Sequence, residues 1–260
     1  MKLKEDSSTQ KLRGAYYTPL PLAEMMVELF ADRIDCNSVL EPSCGDGVFL
    51  DALIKADVIK QYANIEAVEI ERTEAKKVKE RMKLYANVKV INKDFFDFYK
   101  EKKDLARYDL ILGNPPYIRY QYIEEKQRDI MADILTSQGM KANKLVNTWV
   151  GFIVSCVNLL SDNGKIAFVI PAEIMQVAYA EDLRLFLANN LSKITLITFE
   201  ELVFPDIEQE IVVFIGEKGD EEKGIRIVEL NNLEDLKTFD IEANDYQKLQ
   251  HVHEKWTKKY

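Results

Sequence analysis

The chain is short of several things. Among its 260 residues there are three cysteines, Cys36, Cys44 and Cys156, scattered and odd in number. That pattern argues against a disulfide framework, and no Cys/His spacing resembles a zinc site. There are two histidines, His251 and His253, both near the C-terminus, which argues against acid–base catalysis built on histidine. No apolar run approaches the ~20 residues of a membrane span. The first eight residues, Met1 to Ser8, contain no apolar segment of the kind that marks a secretory signal. These absences point to a reducing cytoplasm and no membrane partner. Positive charge is also scarce: 35 Lys and Arg face 44 Asp and Glu, for a net charge of −9. An acidic chain is poorly suited to gripping nucleic acid by itself, because such binding is mainly a cation-to-phosphate effect. The deficit is uneven. Residues 1–130 carry 22 basic and 23 acidic groups, whereas residues 131–260 carry 13 and 21.

What is present suits one large globular domain. Hydrophobic residues make up 47% and charged residues 30%, enough for a proper core without covalent staples. After a polar start, Pro19 and Pro21 open a stretch in which Leu22, Met25, Met26, Leu29 and Phe30 recur at helical spacing. Short apolar runs at 38–41, 65–70, 88–91, 108–112, 165–170, 194–199 and 211–215 read as seven strands. Helical patterns fall between them at 48–56, 72–84, 124–136, 147–160 and 181–188. Continuous apolar strands alternating with helices predict an α/β fold, a mostly parallel seven-stranded sheet with helices on both faces. Asn163-Gly164 reads as a turn, residues 217–224 as a polar loop, and the pattern weakens after Leu230.

Four features at predicted strand ends carry chemistry. The first is Glu41-Pro-Ser-Cys-Gly-Asp-Gly47, between a strand and a helix. Gly45 and Gly47 remove Cβ atoms where a ligand must approach the backbone. Glu41 and Asp46 make the loop acidic, which repels a pyrophosphate and suits an ammonium or sulfonium group. The bland alternative is an ordinary glycine-containing turn. The second is Glu69, which can accept both hydroxyls of a ribose, with Glu71 as a competitor. The third is Asp94-Phe95, able to accept from an adenine amino group and pack on its ring. The alternative there is a helix cap at Asp94 with Phe95 and Phe96 in the core. Each of these acids ends a successive strand, and such a row suits an adenosine-bearing ligand.

The fourth is Asn114-Pro-Pro-Tyr117. Two consecutive prolines remove two backbone donors and leave acceptors, and the Asn114 side chain adds another. Paired acceptors are what a planar amino group needs if its nitrogen is to become nucleophilic. Tyr117 offers a face for stacking. The alternative is a proline-rich turn with a buried tyrosine.

Taken together, Tyr17-Thr-Pro19, Glu41-Pro-Ser-Cys-Gly-Asp-Gly47, Val68-Glu-Ile70, Asp94-Phe95 and Asn114-Pro-Pro-Tyr117 resemble the S-adenosylmethionine-dependent adenine-N6 DNA methyltransferases, in their gamma-class motif order. The resemblance runs from about Gly14 to Gly219 and includes Gly164 to Ala172 and Phe204-Pro205. It implies a Rossmann-like class I core over 36–219, preceded by a lid segment and helix over 1–35. Tyr17, Thr18 and Pro19 would close over the methionine end of the cofactor, with Glu41, Ser43 and Gly45 beside it. Glu69 would hold the ribose, Ile70 would pack on the adenine, and Asp94 and Phe95 would read it. A target adenine in double-stranded DNA would be flipped out of the stack. Asn114 and the Pro115 carbonyl would accept its N6 hydrogens, with Pro116 completing the motif. Tyr117 and a second aromatic, Tyr179, would flank the ring. No metal is implied. Residues 220–260 lead toward a recognition domain that the resemblance implies but this sequence lacks, so recognition would come from a further domain or a separate specificity subunit, unless the chain is a minimal enzyme acting on single-stranded or structured nucleic acid. The same tetrapeptide serves RNA and protein-glutamine methyltransferases, and a non-catalytic cofactor-binding subunit is a further alternative.

The charge carries a first prediction. Residues 1–260 alone bind S-adenosylhomocysteine, seen as a thermal shift that NAD does not produce, but bind duplex DNA weakly or not at all. Tight, sequence-specific DNA binding by this chain in a fluorescence titration would contradict that.

Overall fold

The computed structural model describes residues 18–31, 37–141, 146–176, 180–201, 203, 210–219, 222–248 and 256. Helix α1 (Leu20–Glu28) begins directly after Pro19, whose carbonyl takes the first-turn amides of Leu22 and Ala23. Then follow β1 (Ser38–Glu41), α2 (Val48–Lys55), β2 (Asn64–Glu69), α3 (Arg72–Arg81), β3 (Val88–Asn92), α4 (Phe95–Lys102) and β4 (Tyr108–Gly113). The second half contains α5 (Glu125–Ser137), α6 (Thr148–Leu159), β5 (Leu160–Pro171), α7 (Glu181–Asn190), β6 (Lys193–Phe199), β7 (Ile211–Glu217), β8 (Gly224–Leu230) and β9 (Gln247–Lys248). No helix among the described residues is long and apolar enough to cross a membrane.

All the strands form one sheet in the order β3-β2-β1-β4-β5-β7-β6-β8-β9. The pairings from β3 through β5 are parallel, β7 is antiparallel to both neighbours, β8 is parallel to β6, and β9 is antiparallel to β8. The expected mostly parallel α/β sheet is therefore present, with two strands beyond the seven. Alternating residues supply two cores, one on each face. Leu40, Val68, Ile111, Ile166 and Phe168 join the core under α4 to α7. Val39, Ala67, Leu110, Ala167 and Val169 join the core under α1 to α3. Chain order reverses between β1 and β4, and at such a switch point the loops part and leave a crevice at the carboxyl ends of the strands.

Three details differ from the sequence reading. A helix, α4, fills the span after Asp94, which the periodicity did not separate from its flanks. The Asn163-Gly164 turn is absorbed into β5, whose pairing with β4 jumps from Leu160 opposite Tyr108 to Lys165 opposite Leu110. The chain after Leu230 stays on the sheet because Arg226, on β8, draws it in. The Arg226 guanidinium lies 4.8 Å from the Phe239 ring and 5.0 Å from the Tyr246 ring. It donates to the carbonyls of Asp240, Ile241 and Ala243 and to Asp245 Oδ1.

Helix α6 is buried along nearly its whole length. Gly151 makes that possible: a Cβ there would lie 2.7 Å from Met131 of α5 and 3.0 Å from Phe96 of α4. One turn on from Thr148, Phe152 stacks on Phe95 at 4.5 Å and meets Phe96 edge-on at 5.2 Å. This aromatic trio sets the floor of the crevice. Phe152→Ala should cost about 3–5 kcal/mol, the usual range for an aromatic truncated in a core, measured by urea unfolding. A loss under ~1 kcal/mol would show that the trio is not a packing unit.

Candidate cofactor cleft and acceptor loop

The strand ends open into a cleft of about 360 Å³ lined by, among others, Ser43, Gly45, Glu69, Ile70, Asp94, Phe95 and Asn114. Seven of the residues expected from sequence to form the site are thus brought together from the ends of β1, β2, β3 and β4. Pro116 lines it as well. Thr18 is buried and Pro19 half-buried at the start of α1, away from the cleft lining. Glu41 and Pro115 are buried behind it. Tyr17, Tyr179 and Phe204-Pro205 lie outside the described residues.

The loop after β1 is held from the next strand. The Cys44 amide donates to the Val68 carbonyl at 2.8 Å, and the Gly45 amide to Glu69 Oε2 at 2.8 Å. The other Glu69 oxygen takes the Glu71 amide at 2.7 Å. Each carboxylate oxygen retains acceptor capacity, since it has two lone pairs. Asn92 braces the same turn, its Nδ2 donating to the carbonyls of Glu69 and Ile70. Gly47 ends the loop with φ +83°, a left-handed conformation, and a Cβ there would lie 2.9 Å from Arg81 Nη2. Burial raises the Glu69 carboxyl above its ordinary range, and the two amides partly offset that.

Glu41 is the outlier. It is 3% exposed, and its Oε2 has no hydrogen-bond partner among the described residues. Burial pushes its carboxyl well above the ordinary range, and Asp46, Glu69 and Asp51 push it the same way. A buried acceptor left in this state is a reservoir of unfavourable energy that a donor or a cation can relieve. The neighbouring Cys44 thiol is pushed up by burial and by Glu41, Glu69 and Asp46, so it is no nucleophile.

Asp94 is the helix cap that one reading expected, and it also lines the cleft. Its Oδ1 caps α4, accepting from the Phe96 and Asp97 amides at 2.9 and 3.2 Å. Its Oδ2 accepts from the Gln127 side chain on α5, across the cleft. Phe95 is 3% exposed and belongs to the core, yet one part of it lines the cleft. Ile70 has the opposite character: an isoleucine 55% exposed at the cleft wall.

The acceptor loop after β4 is fastened on every side. The Asn114 carbonyl accepts from Ser43 Oγ at 3.3 Å. The Tyr117 hydroxyl donates to the Val169 carbonyl at 3.0 Å, and the half-buried ring packs against the core. Thr148 binds the loop at Pro116 and at Ile118. Sequence reasoning missed Thr148, Gln127 and Phe152. For Thr148 a signal existed, a polar Asn-Thr pair opening an apolar helix. Gln127 sits in a polar helix where nothing local distinguishes it.

Among solved structures, the fold matches DrdV in its DNA complex (TM-score 0.74, 16% identity), over 93% of this chain and 31% of that one. It also matches a class I S-adenosylmethionine-dependent methyltransferase from Listeria monocytogenes (TM-score 0.67, 14% identity), over 85% and 67%. The architecture is thus that of the class I methyltransferases. Residues 23–204 match the Eco57I restriction-modification methylase model, and the chain belongs to that family. It is 31% identical over 239 residues to the type II methyltransferase M.HincII of Haemophilus influenzae, covering 92% of this chain and 44% of that protein. The chain therefore spans less than half the length of this relative.

Glu41 yields a pH prediction. Its folded carboxyl is raised, so the stability tied to it is full below about pH 4.3, the usual value for a free glutamate, and is lost as pH rises through the folded value. Glu41→Gln removes that loss. At pH 8 the variant should be more stable than wild type, because the amide carries no charge to bury. The gap should shrink toward pH 5. Urea unfolding across a pH series checks both, and a less stable variant at pH 8 would refute the assignment.

Proposed function

We propose that the chain is the catalytic part of an S-adenosylmethionine-dependent methyltransferase acting on the N6 amino group of adenine in DNA, within a restriction-modification system. The observation that carries this reading is a cleft in which Asn114 and Pro116 of the acceptor loop face Glu69 and Asp94 from neighbouring strand ends. The residues fit the cofactor. The buried, unpartnered Glu41 Oε2 suits a cationic group, and the exposed Ile70 suits a planar base. The unspent lone pairs of Glu69 suit ribose hydroxyls. Asp94 Oδ2, with one lone pair beyond the Gln127 contact, suits an amino donor. When bound, S-adenosylmethionine supplies an electrophilic methyl group.

The chain's own contribution is positioning and electrostatics. The adenine leaves the duplex to reach the cleft. Asn114 and the Pro115 carbonyl accept its two N6 hydrogens, drawing the lone pair out of conjugation. Tyr117 bounds the base, and Tyr179 is the candidate for its other face. The nitrogen gives up its proton after attack, so no strong base is needed, and the scarcity of histidine is no obstacle. Sequence recognition belongs to a further domain or a specificity subunit, in keeping with the acidity of residues 131–260 and the longer relatives.

Asn114→Ala should lower methyl transfer to an adenine-containing duplex by ~10²-fold or more, the scale for losing one preorganised electrostatic contact. The thermal shift with S-adenosylhomocysteine should persist. Tritiated cofactor, with duplex DNA, RNA and a glutamine-bearing protein offered in parallel, reads out both rate and substrate class. Labelling confined to RNA or protein would overturn the DNA assignment, and full activity of the variant would overturn the catalytic one.

A further inference from the structure

Two consecutive prolines create a mechanical problem. Pro115 and Pro116 offer no amide hydrogens, so the loop cannot secure itself through those positions. Its carbonyls must be fixed by donors from elsewhere. Ser43 Oγ takes the Asn114 carbonyl at 3.3 Å, a long contact. The stronger fastening comes from Thr148, the first residue of α6, which is 4% exposed and lines the cleft.

Thr148 holds the loop by three contacts. Its hydroxyl oxygen accepts the Ile118 amide at 2.9 Å. Its backbone amide, one of the first-turn donors that a helix leaves unsatisfied, donates to the Ile118 carbonyl at 3.0 Å. Its single hydroxyl hydrogen has three acceptors within reach, the carbonyls of Pro116 and Ile118 and the Asn147 side-chain oxygen. Pro116 is by far the nearest, so the hydrogen goes there. The hydroxyl thus fixes a carbonyl on one side and an amide two residues on. Together they set the rotation of the peptide planes between Pro116 and Ile118, and through them the direction of the acceptors upstream. Helix α6 is rigid enough to serve as the anchor, being buried among Phe96, Met131 and Phe95 through Gly151 and Phe152.

We propose that Thr148 is a positioning residue for methyl transfer, its hydroxyl locking the peptide planes of the Asn114–Tyr117 loop so that Asn114 and the Pro115 carbonyl converge on the target amine. This rests on the methyltransferase reading above. Its hydroxyl is engaged by Pro116 and Ile118, so its part in transfer is exerted through the loop.

The test compares Thr148→Val, which keeps shape and loses the hydroxyl, with Thr148→Ser, which keeps the hydroxyl and loses a methyl. Both are made in the intact protein, beside wild type and Asn114→Ala. Single-turnover transfer to an adenine-containing duplex and the Kd for S-adenosylhomocysteine are measured. Thr148→Val should transfer ~10- to 100-fold more slowly, the scale for a reacting group displaced by a fraction of an ångström to an ångström. Its Kd should stay within about twofold, a difference under 0.5 kcal/mol. Thr148→Ser should recover most of the rate. A wild-type rate in Thr148→Val, equal losses in both variants, or a Kd that weakens in step with the rate would each overturn the proposal. If wild type binds S-adenosylhomocysteine but transfers nothing even to duplex raised to saturating concentration, so that weak DNA binding is not limiting, the methyltransferase reading falls, and this inference with it. If wild type transfers and Asn114→Ala does not, the reading stands, and the two threonine variants decide the inference alone.

Discussion

A parallel sheet buried on both faces has few places for polar chemistry. Its strands are apolar from side to side, and helices cover them above and below. What remains is the row of strand ends at the carboxyl edge, and above all the gap where chain order reverses between β1 and β4. Every group discussed as functional depends on that gap. Glu41 and Glu69 are the last residues of β1 and β2, Asn114 directly follows β4, and Asp94 stands two residues past β3. They meet because their strands are neighbours, and they stay partly dry because the two cores close in from both sides. The crevice is a consequence of the sheet's winding, and the acids are what the sequence places at its rim.

Drying has an energetic cost that falls unevenly on these acids. Glu69 and Asp94 recover part of it from backbone amides: Gly45 and Glu71 for the one, Phe96 and Asp97 for the other. Glu41 has no such relief among the described residues. The three carboxylates therefore differ in kind. Two are built into the frame by backbone amides, while the third is buried among other acids with one oxygen left without a partner.

Much of this could be seen in the residues. Strand runs such as Tyr108–Gly113 are nearly continuous in apolar side chains, so their existence and parallel pairing follow from burial on both faces. The acids at their ends stand out because a charged residue closing an apolar run needs a reason. What stayed hidden depends on distance. Arg226 gathers carbonyls from residues ten to twenty positions away and stacks on two rings, and none of this has a period that a window could detect. Helix α4 was obscured because Phe95, Phe96, Phe98 and Tyr99 are too densely aromatic to show a clean stripe. Thr148 and Gln127 gain their importance from loops thirty residues away. The elements of this fold are local statements, and the fastening of its site is not.

Asp94 combines two duties that are usually separate. One oxygen seats the first turn of α4, while the other faces the cleft and meets Gln127. A substitution meant to change the ligand also unseats a helix that carries Phe95 and Phe96 into the core, and one tolerated by the helix alters the cleft. The consequence is a coupled position: a change at Asp94 alters the helix and the cleft wall together. Gln127 shares in that coupling, since its side chain donates to the same carboxylate from the opposite bank.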